Sequence, residues 1–324
     1  MKELTYSKAI NEALREEMAR DSKVLVLGEE VGVPRGGVFG VTQGLEEEFG
    51  KSRVRNTPIS EMAIAGAAVG ASLLGYRPVA EIMYVDFITL AMDQIVNQAA
   101  KVRYMFGGKA RPSLVIRTQG GVGRGGAAQH SQSLEIWFAT IPGLKVAMPA
   151  TPADAKGMLK AAIRDDNPVI FIEHKKLYAT RGMVPEGDHV VPLGKAEVKR
   201  QGTAATIVTY SYMVLEALAA AEQLAARGID VEVVDLRSVN PIDWERVLSS
   251  VKKTGKLIAV YEACKTGGLG AEICSRAAEE LFDYLDAPVQ RVAGLDTPIP
   301  YNRKLERAAI PNADQIVAAV DRVL

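Results

Sequence analysis

SEMAIAGAAVGASLLG at residues 60–75, followed two residues later by PVAEI at 78–82, is the stretch on which the fold turns. The first segment carries no charge from Met62 to Tyr76 and is too long for a single strand, so it reads as a helix. Its many Ala and Gly side chains let another backbone or a ligand come close. The second segment is a short apolar run, which suits a strand buried on both faces of a parallel sheet.

The same alternation extends in both directions. Upstream, Ala9, Ile10, Ala13, Leu14 and Met18 have helical spacing, with Thr5 placed to cap, and VLVLG (24–28) is a strand ending in Gly. Downstream come a long helix near 86–106, a strand near 113–118 and a Gly-rich loop. A helix near 132–140, the strand LKVAM (144–148), a helix after Thr151-Pro152 and the strand PVIFIE (168–173) complete the first half. Prolines and glycines gather in 182–203, which marks a linker between domains at 1–185 and 195–324. Beyond it, strands at 205–210, 230–236, 256–262 and 289–293 alternate with helices at 212–227, 243–253, 269–284 and 313–323. The expected fold is therefore α/β, with two doubly wound domains of mostly parallel sheet. Ligands belong at loops beyond the carboxyl ends of the strands.

Composition narrows the function classes. Lys plus Arg and Asp plus Glu both number 39, so no general polyanion-binding surface and no nucleic-acid partner is expected. No apolar run is long enough to span a bilayer, and the amphipathic N-terminus lacks the features of a signal or transit peptide. Two cysteines, Cys264 and Cys274, read as reduced thiols of a cytoplasmic protein.

Four features bear on chemistry. His130 follows a run of glycines in GGVGRGGAAQHSQS, where it is either an active-site edge or a loop histidine bonded to a neighbouring carbonyl. His174 and His189 read as structural or surface residues. Glu61 opens the apolar helix, with Ser60 or Thr57 available as a cap; the helix dipole alone accounts for an acid there. The other reading is a carboxyl on an apolar wall, able to exchange a proton with a buried ligand. Gly121-Val122-Gly123-Arg124-Gly125-Gly126 matches G-x-G-x-x-G after a strand. It does not open directly into a long helix, and no acid follows about 20 residues on, so a dinucleotide site is not indicated. P-loop and nucleophile-elbow motifs are absent.

LGEEVG (27–32), GGVFGVTQGL (36–45), RVRNTPISEMAIAGAAVG (53–70), GYRPVAEIMYVDF (75–87), DQIVNQAAKVRYMFGG (93–108), AAQHSQS (127–133), PGLKV (142–146), IRDDNPVIFIE (163–173) and DTPIPY (296–301) occur in this order. In them the chain resembles the beta subunits of thiamine-diphosphate-dependent 2-oxoacid dehydrogenases of the pyruvate, acetoin and branched-chain complexes. The resemblance covers essentially the whole chain. It implies a thiamine-diphosphate pyrimidine-binding domain followed by a transketolase-like C-terminal domain.

The resemblance also implies roles. Glu61 matches the acid that bonds N1′ of the aminopyrimidine and favours its imino tautomer. Phe87 matches the aromatic packed against that ring, and Ile59 and Met83 line the same pocket. His130 matches a histidine that assists acyl transfer to the lipoyl arm. Leu114, Ala162, Ile163, Asp165 and Asn167 match positions that hold a potassium ion, mainly through carbonyls. No G-D-G motif is present for Mg²⁺ and the diphosphate, so an alpha chain is expected to supply that half of the site. Implied partners are that alpha chain, a second beta chain and the dihydrolipoyl acyltransferase core. Implied substrates are pyruvate first, then acetoin, then a branched-chain 2-oxoacid. A non-catalytic scaffold is the contrasting reading, against which Glu61, Phe87 and His130 all stand.

Overall fold

The computed structural model describes all 324 residues. They form two compact units, Met1–Gly120 with Trp137–Leu193, and Gly121–Ile136 with Gly194–Leu324. The Gly-rich segment 121–136 thus groups with the second unit although it lies inside the first half of the chain.

In the first unit, β1 (Lys2–Thr5) leads into α1 (Tyr6–Arg20), β2 (Val24–Gly28), α2 (Leu45–Phe49), β3 (Val54–Asn56), α3 (Glu61–Leu73) and β4 (Arg77–Ile82). Then come α4 (Ala100–Met105), β5 (Val115–Gly120), α5 (Glu135–Ala139), β6 (Lys145–Ala147), α6 (Pro152–Arg164), β7 (Val169–His174) and β8 (Arg181–Val184). The strands of the main sheet run in the order β6-β7-β5-β4-β2-β3, and each of these pairings is parallel. The expected cap at Thr5 is present, accepting from the Lys8 N–H, and Thr151 caps α6 in the same way by accepting from the Asp154 N–H. Buried Lys156 and Lys160 of α6 pair with Glu16 of α1, so these two helices join through charge as well as apolar contact.

The single helix expected near 86–106 is three pieces: a 3₁₀ turn at Phe87–Ala91, a π-helical stretch at Gln94–Ala99, and α4. Tertiary packing overrides local periodicity here, because the small-residue helix α3 packs against both irregular pieces. The stretch read as a linker is also partly ordered into sheets. β8 pairs antiparallel with β1, and β9 (Glu197–Arg200) joins the sheet of the second unit. The prolines and glycines of 182–203 therefore mark turns between edge strands more than a free tether.

The second unit continues with β10 (Thr206–Thr209), α7 (Met213–Ala225), β11 (Glu232–Asp235), β12 (Ser238–Asn240), α8 (Trp244–Thr254) and β13 (Leu257–Cys264). It ends with α9 (Leu269–Leu281), β14 (Gln290–Gly294), α10 (Arg303–Ala308) and α11 (Ala313–Asp321). Its sheet order is β14-β13-β10-β11-β9, parallel except for β9 at the edge. Along β13, Ile258 and Val260 enter the core formed with α7 and α11. Tyr261 points to the other face, where the start of α9 lies on its ring. A Cβ at Gly268 or Gly270 would stand 2.3 or 2.0 Å from that ring. The glycines of KTGGLG are needed for this close approach, and the period-two alternation shows helices covering both faces.

Candidate active site

Two strands of the first sheet, β3 and β4, which flank β2, deliver the expected pyrimidine-side residues at their carboxyl ends. Ile59 and Glu61 follow β3. Met83 and Phe87 follow β4. Contact between α3 and the 3₁₀ turn at Phe87–Ala91 brings the two groups together. Glu61 is the first residue of α3 and is buried, at 7% exposure. Ser60 occupies the N-cap position but makes no side-chain cap bond, and the Thr57 hydroxyl oxygen is buried without a partner. The expected cap is therefore not made.

Phe87 is half-buried and tilted against Tyr84, with centroids 6.3 Å apart. Tyr84 meets Phe39 edge-on at 5.9 Å, and Phe39 packs on Tyr178 at 4.8 Å. Phe87 thus ends a row of rings that fixes its orientation. Met83 is half-buried, while Ile59 is 81% exposed.

Glu29, immediately after β2, was not singled out by the sequence. It is buried at 6%, and its Oε1 has no hydrogen-bond partner. Burial raises its pKa, and the neighbouring charges of Glu61, Glu30 and Glu81 raise it further. A second acid therefore shares the electrostatic surroundings of Glu61. The available signal was an acid directly after the terminal Gly of a buried parallel strand. Gly28 itself is required, because a Cβ there would lie 2.6 Å from the Glu81 carbonyl oxygen.

Behind these acids lies a fully buried ion network. Arg117 on β5 donates to both Glu173 oxygens and, at 2.6 Å, to Glu81 Oε2. Tyr178 donates to Glu173 at 2.6 Å and Gln119 to Glu81 at 3.2 Å. Burial opposes the Arg117 charge, but Glu173 and Glu81 together hold its pKa above the usual arginine value.

His130 lies on the Gly-rich segment of the second unit and is half-buried. Its backbone N–H donates to the Ala127 carbonyl at 3.3 Å. His174 and His189 are held by main chain, as structural histidines are: His174 Nδ1 accepts from the Lys176 N–H at 3.1 Å, and His189 Nε2 lies 3.1 Å from the Ala153 carbonyl.

The expected cation ligands lie in the last turn of α6, in the turn that follows it, and just before β5. Arg77 donates at 2.9 Å to the carbonyls of both Ile163 and Asp165. The Ala162 carbonyl accepts from Asp165 N–H, and the Leu114 carbonyl from Val169 N–H. Asn167 accepts from Arg103 and donates to Asp165, which also pairs with Lys145. Each carbonyl keeps a second lone pair. The donors fit a hard monovalent cation in kind, in a turn that protein cations already brace. No group of three or more His, Cys, Asp or Glu side chains is arranged to hold a metal.

Comparison with known proteins places this geometry. The transketolase pyrimidine-binding domain matches residues 2–181, and the transketolase C-terminal domain matches residues 194–316. A solved structure described as a split-gene transketolase, an inactive beta4 tetramer, superposes with a TM-score of 0.81 at 26% identity. That match covers 99% of this chain and 98% of the other. The two domains and their fold are those of the transketolase-like class. More narrowly, the chain belongs to the family of beta subunits of the 2-oxoacid dehydrogenase first component. It is 48% identical to the 2-oxoisovalerate dehydrogenase subunit beta of Bacillus subtilis, covering 99% of this chain and 98% of that one. It is 48% identical to the pyruvate dehydrogenase subunit beta of Rhizobium meliloti, over 100% of this chain and 70% of that one. With the acetoin:2,6-dichlorophenolindophenol oxidoreductase subunit beta of Cupriavidus necator it shares 47% identity, over 100% and 98%. No helix is long and apolar enough to cross a membrane.

Proposed function

We propose that this chain forms a thiamine-diphosphate site together with an alpha chain. The assembled enzyme decarboxylates pyruvate oxidatively and acylates a lipoyl group in the cytoplasm. The observation that carries the reading is the buried carboxyl of Glu61 at the start of α3, packed beside the turn that presents Phe87. Exposed Ile59 just before α3, Met62 on it and Leu90 in that turn support a covering partner chain.

Bound there, thiamine diphosphate would supply the nucleophile and electron sink for cleaving a bond next to a carbonyl. Glu61 would hold a proton at N1′ of the aminopyrimidine. Phe87 would pack on that ring, with Ile59 and Met83 lining the pocket. His130 would donate a proton to sulfur during acyl transfer. The alpha chain would hold Mg²⁺ and the diphosphate, and the acyltransferase core would dock the assembly. Leu114, Ala162, Ile163, Asp165 and Asn167 would hold potassium; a melting temperature unmoved on exchanging potassium for choline would dismiss that site.

The three relatives act on different substrates at nearly equal identity, so overall similarity does not choose among them. The test is co-purification with the alpha chain. Thiamine-diphosphate- and Mg²⁺-dependent reduction of an artificial acceptor is then measured with pyruvate, acetoin and branched-chain 2-oxoacids. Activity on pyruvate that needs both chains supports the reading; preference for acetoin replaces the substrate; a well-formed complex inactive on all refutes the catalytic role.

A further inference from the structure

The Gly-rich loop before His130 has the spacing of an anion-binding turn, and in this fold the anions are internal carboxylates. Glu306 of α10, buried at 5% exposure, accepts from the N–H groups of Gly123 at 3.1 Å and Gly125 at 3.2 Å through one oxygen. Glu262, at the carboxyl end of β13, accepts from the Val122 N–H at 2.8 Å and from the Ser133 hydroxyl at 3.4 Å. On the far side of His130, Tyr210 donates to buried Glu135 at 2.7 Å. The segment carrying His130 is thus anchored on both flanks.

Local sterics restrict the loop further. Gly123 and Gly125 have φ of 128° and 67°, and a Cβ at Gly125 would stand 3.2 Å from the Tyr301 carbonyl. A Cβ at Gly126 would come within 2.9 Å of the His130 Cβ. The backbone at 126 therefore lies directly against His130, one residue after the Gly125 amide that Glu306 holds. Hydrogen bonds to a charged acceptor are roughly twice as strong as neutral ones.

We infer that Glu306 is a positioning residue for His130, acting through the amides of Gly123 and Gly125. The inference rests on the acyl-transfer role proposed for His130. The complex with the alpha chain is assembled from the unaltered chain and from E306Q, E306A, H130A and the H130A/E306A double variant. Three readouts are taken: acceptor-dye decarboxylation, acylation of a free lipoyl domain, and amide hydrogen exchange across residues 121–131.

The expected result for E306A is a loss of about tenfold in acylation relative to decarboxylation, in keeping with loosened positioning of an acid–base group. E306Q keeps an acceptor oxygen of similar reach and loses roughly threefold; it also serves if E306A fails to fold. Amides at 122–126 exchange faster in both. The double variant acylates no more slowly than H130A alone, because Glu306 acts through that residue. An unchanged rate ratio in E306A and E306Q, or losses that multiply in the double variant, would overturn the inference. If H130A itself lowers both rates equally, the acyl-transfer reading of His130 fails. Hydrogen exchange then decides the tether alone, and unchanged exchange at 122–126 in E306Q and E306A overturns it.

Discussion

Replacing Arg117 with Met removes the only positive charge described within a fully buried pair of carboxylates. Met approximates the length of the side chain, so the main loss is electrostatic. Arg117 is 0% exposed and engages Glu173 through two nitrogens and Glu81 through a third. Breaking a buried ion pair from one side costs about 3–5 kcal/mol, since the remaining charge is stranded in low dielectric. Here two acids are stranded, which places the expected loss at the upper end. At roughly 2–4 °C per kcal/mol for a unit of this size, the melting temperature of R117M should fall by about 10–20 °C near pH 8. The sign with pH follows from linkage. Burial already holds the folded-state pKa of Glu173 above the ordinary carboxylate value, and loss of the guanidinium, which lowers it, raises it further. Such a group lends stability that is complete below the unfolded pKa and lost as pH rises through the folded one. The deficit of R117M should therefore widen from pH 5.5 to pH 8, and adding E173Q should recover part of it. Thermal unfolding followed by circular dichroism at both pH values measures this. A deficit under about 1 kcal/mol, or one indifferent to pH, would refute the assignment of Arg117 as the counter-charge of the network.

Glu61→Gln keeps size but removes the proton-transfer group, so turnover of the assembled complex should fall by roughly 10²–10⁴ while assembly persists; near-normal turnover would show that the carboxyl has no catalytic part. Burial and Glu61 raise the Glu29 pKa, so this acid is most at ease protonated, and its ionisation costs stability as pH rises. Glu29→Gln should then raise the melting temperature at pH 8 more than at pH 5, and a lowered value at pH 8 would contradict it. Cys264 is exposed, whereas burial pushes the Cys274 thiol up to about 11; Ellman titration of the native chain at pH 8 should find one fast thiol, absent from C264S. Two fast thiols would show that Cys274 is reached by reagent.

Much of the architecture was legible before any coordinates. Buried parallel strands announce themselves as short apolar runs, and α1 and α6 begin at Thr5 and Thr151 because a hydroxyl there satisfies an orphan amide. Glu61 was visible for a similar local reason, as an acid opening a helix otherwise free of charge. The irregular segment after Phe87 was not legible, because its apolar residues satisfy a helical pattern while packing against α3 decides the turns.

By itself the sequence determined the strand and helix periods, the order of the elements and the identity of the acid at the start of α3. These depend on backbone sterics and on neighbours within a few positions. Only the tertiary structure decided which distant side chains share an environment. Parallel strands adjacent in a sheet are separated along the chain by whole crossovers, so Arg117 meets partners 36 and 56 residues away. Glu306 reaches the Gly123 amide across 183 residues, and no local pattern connects the two. Glu29 joins Glu61 because β2 and β3 are neighbours in the sheet; burial in the fold raises the Glu29 pKa, and the charge of Glu61 raises it further.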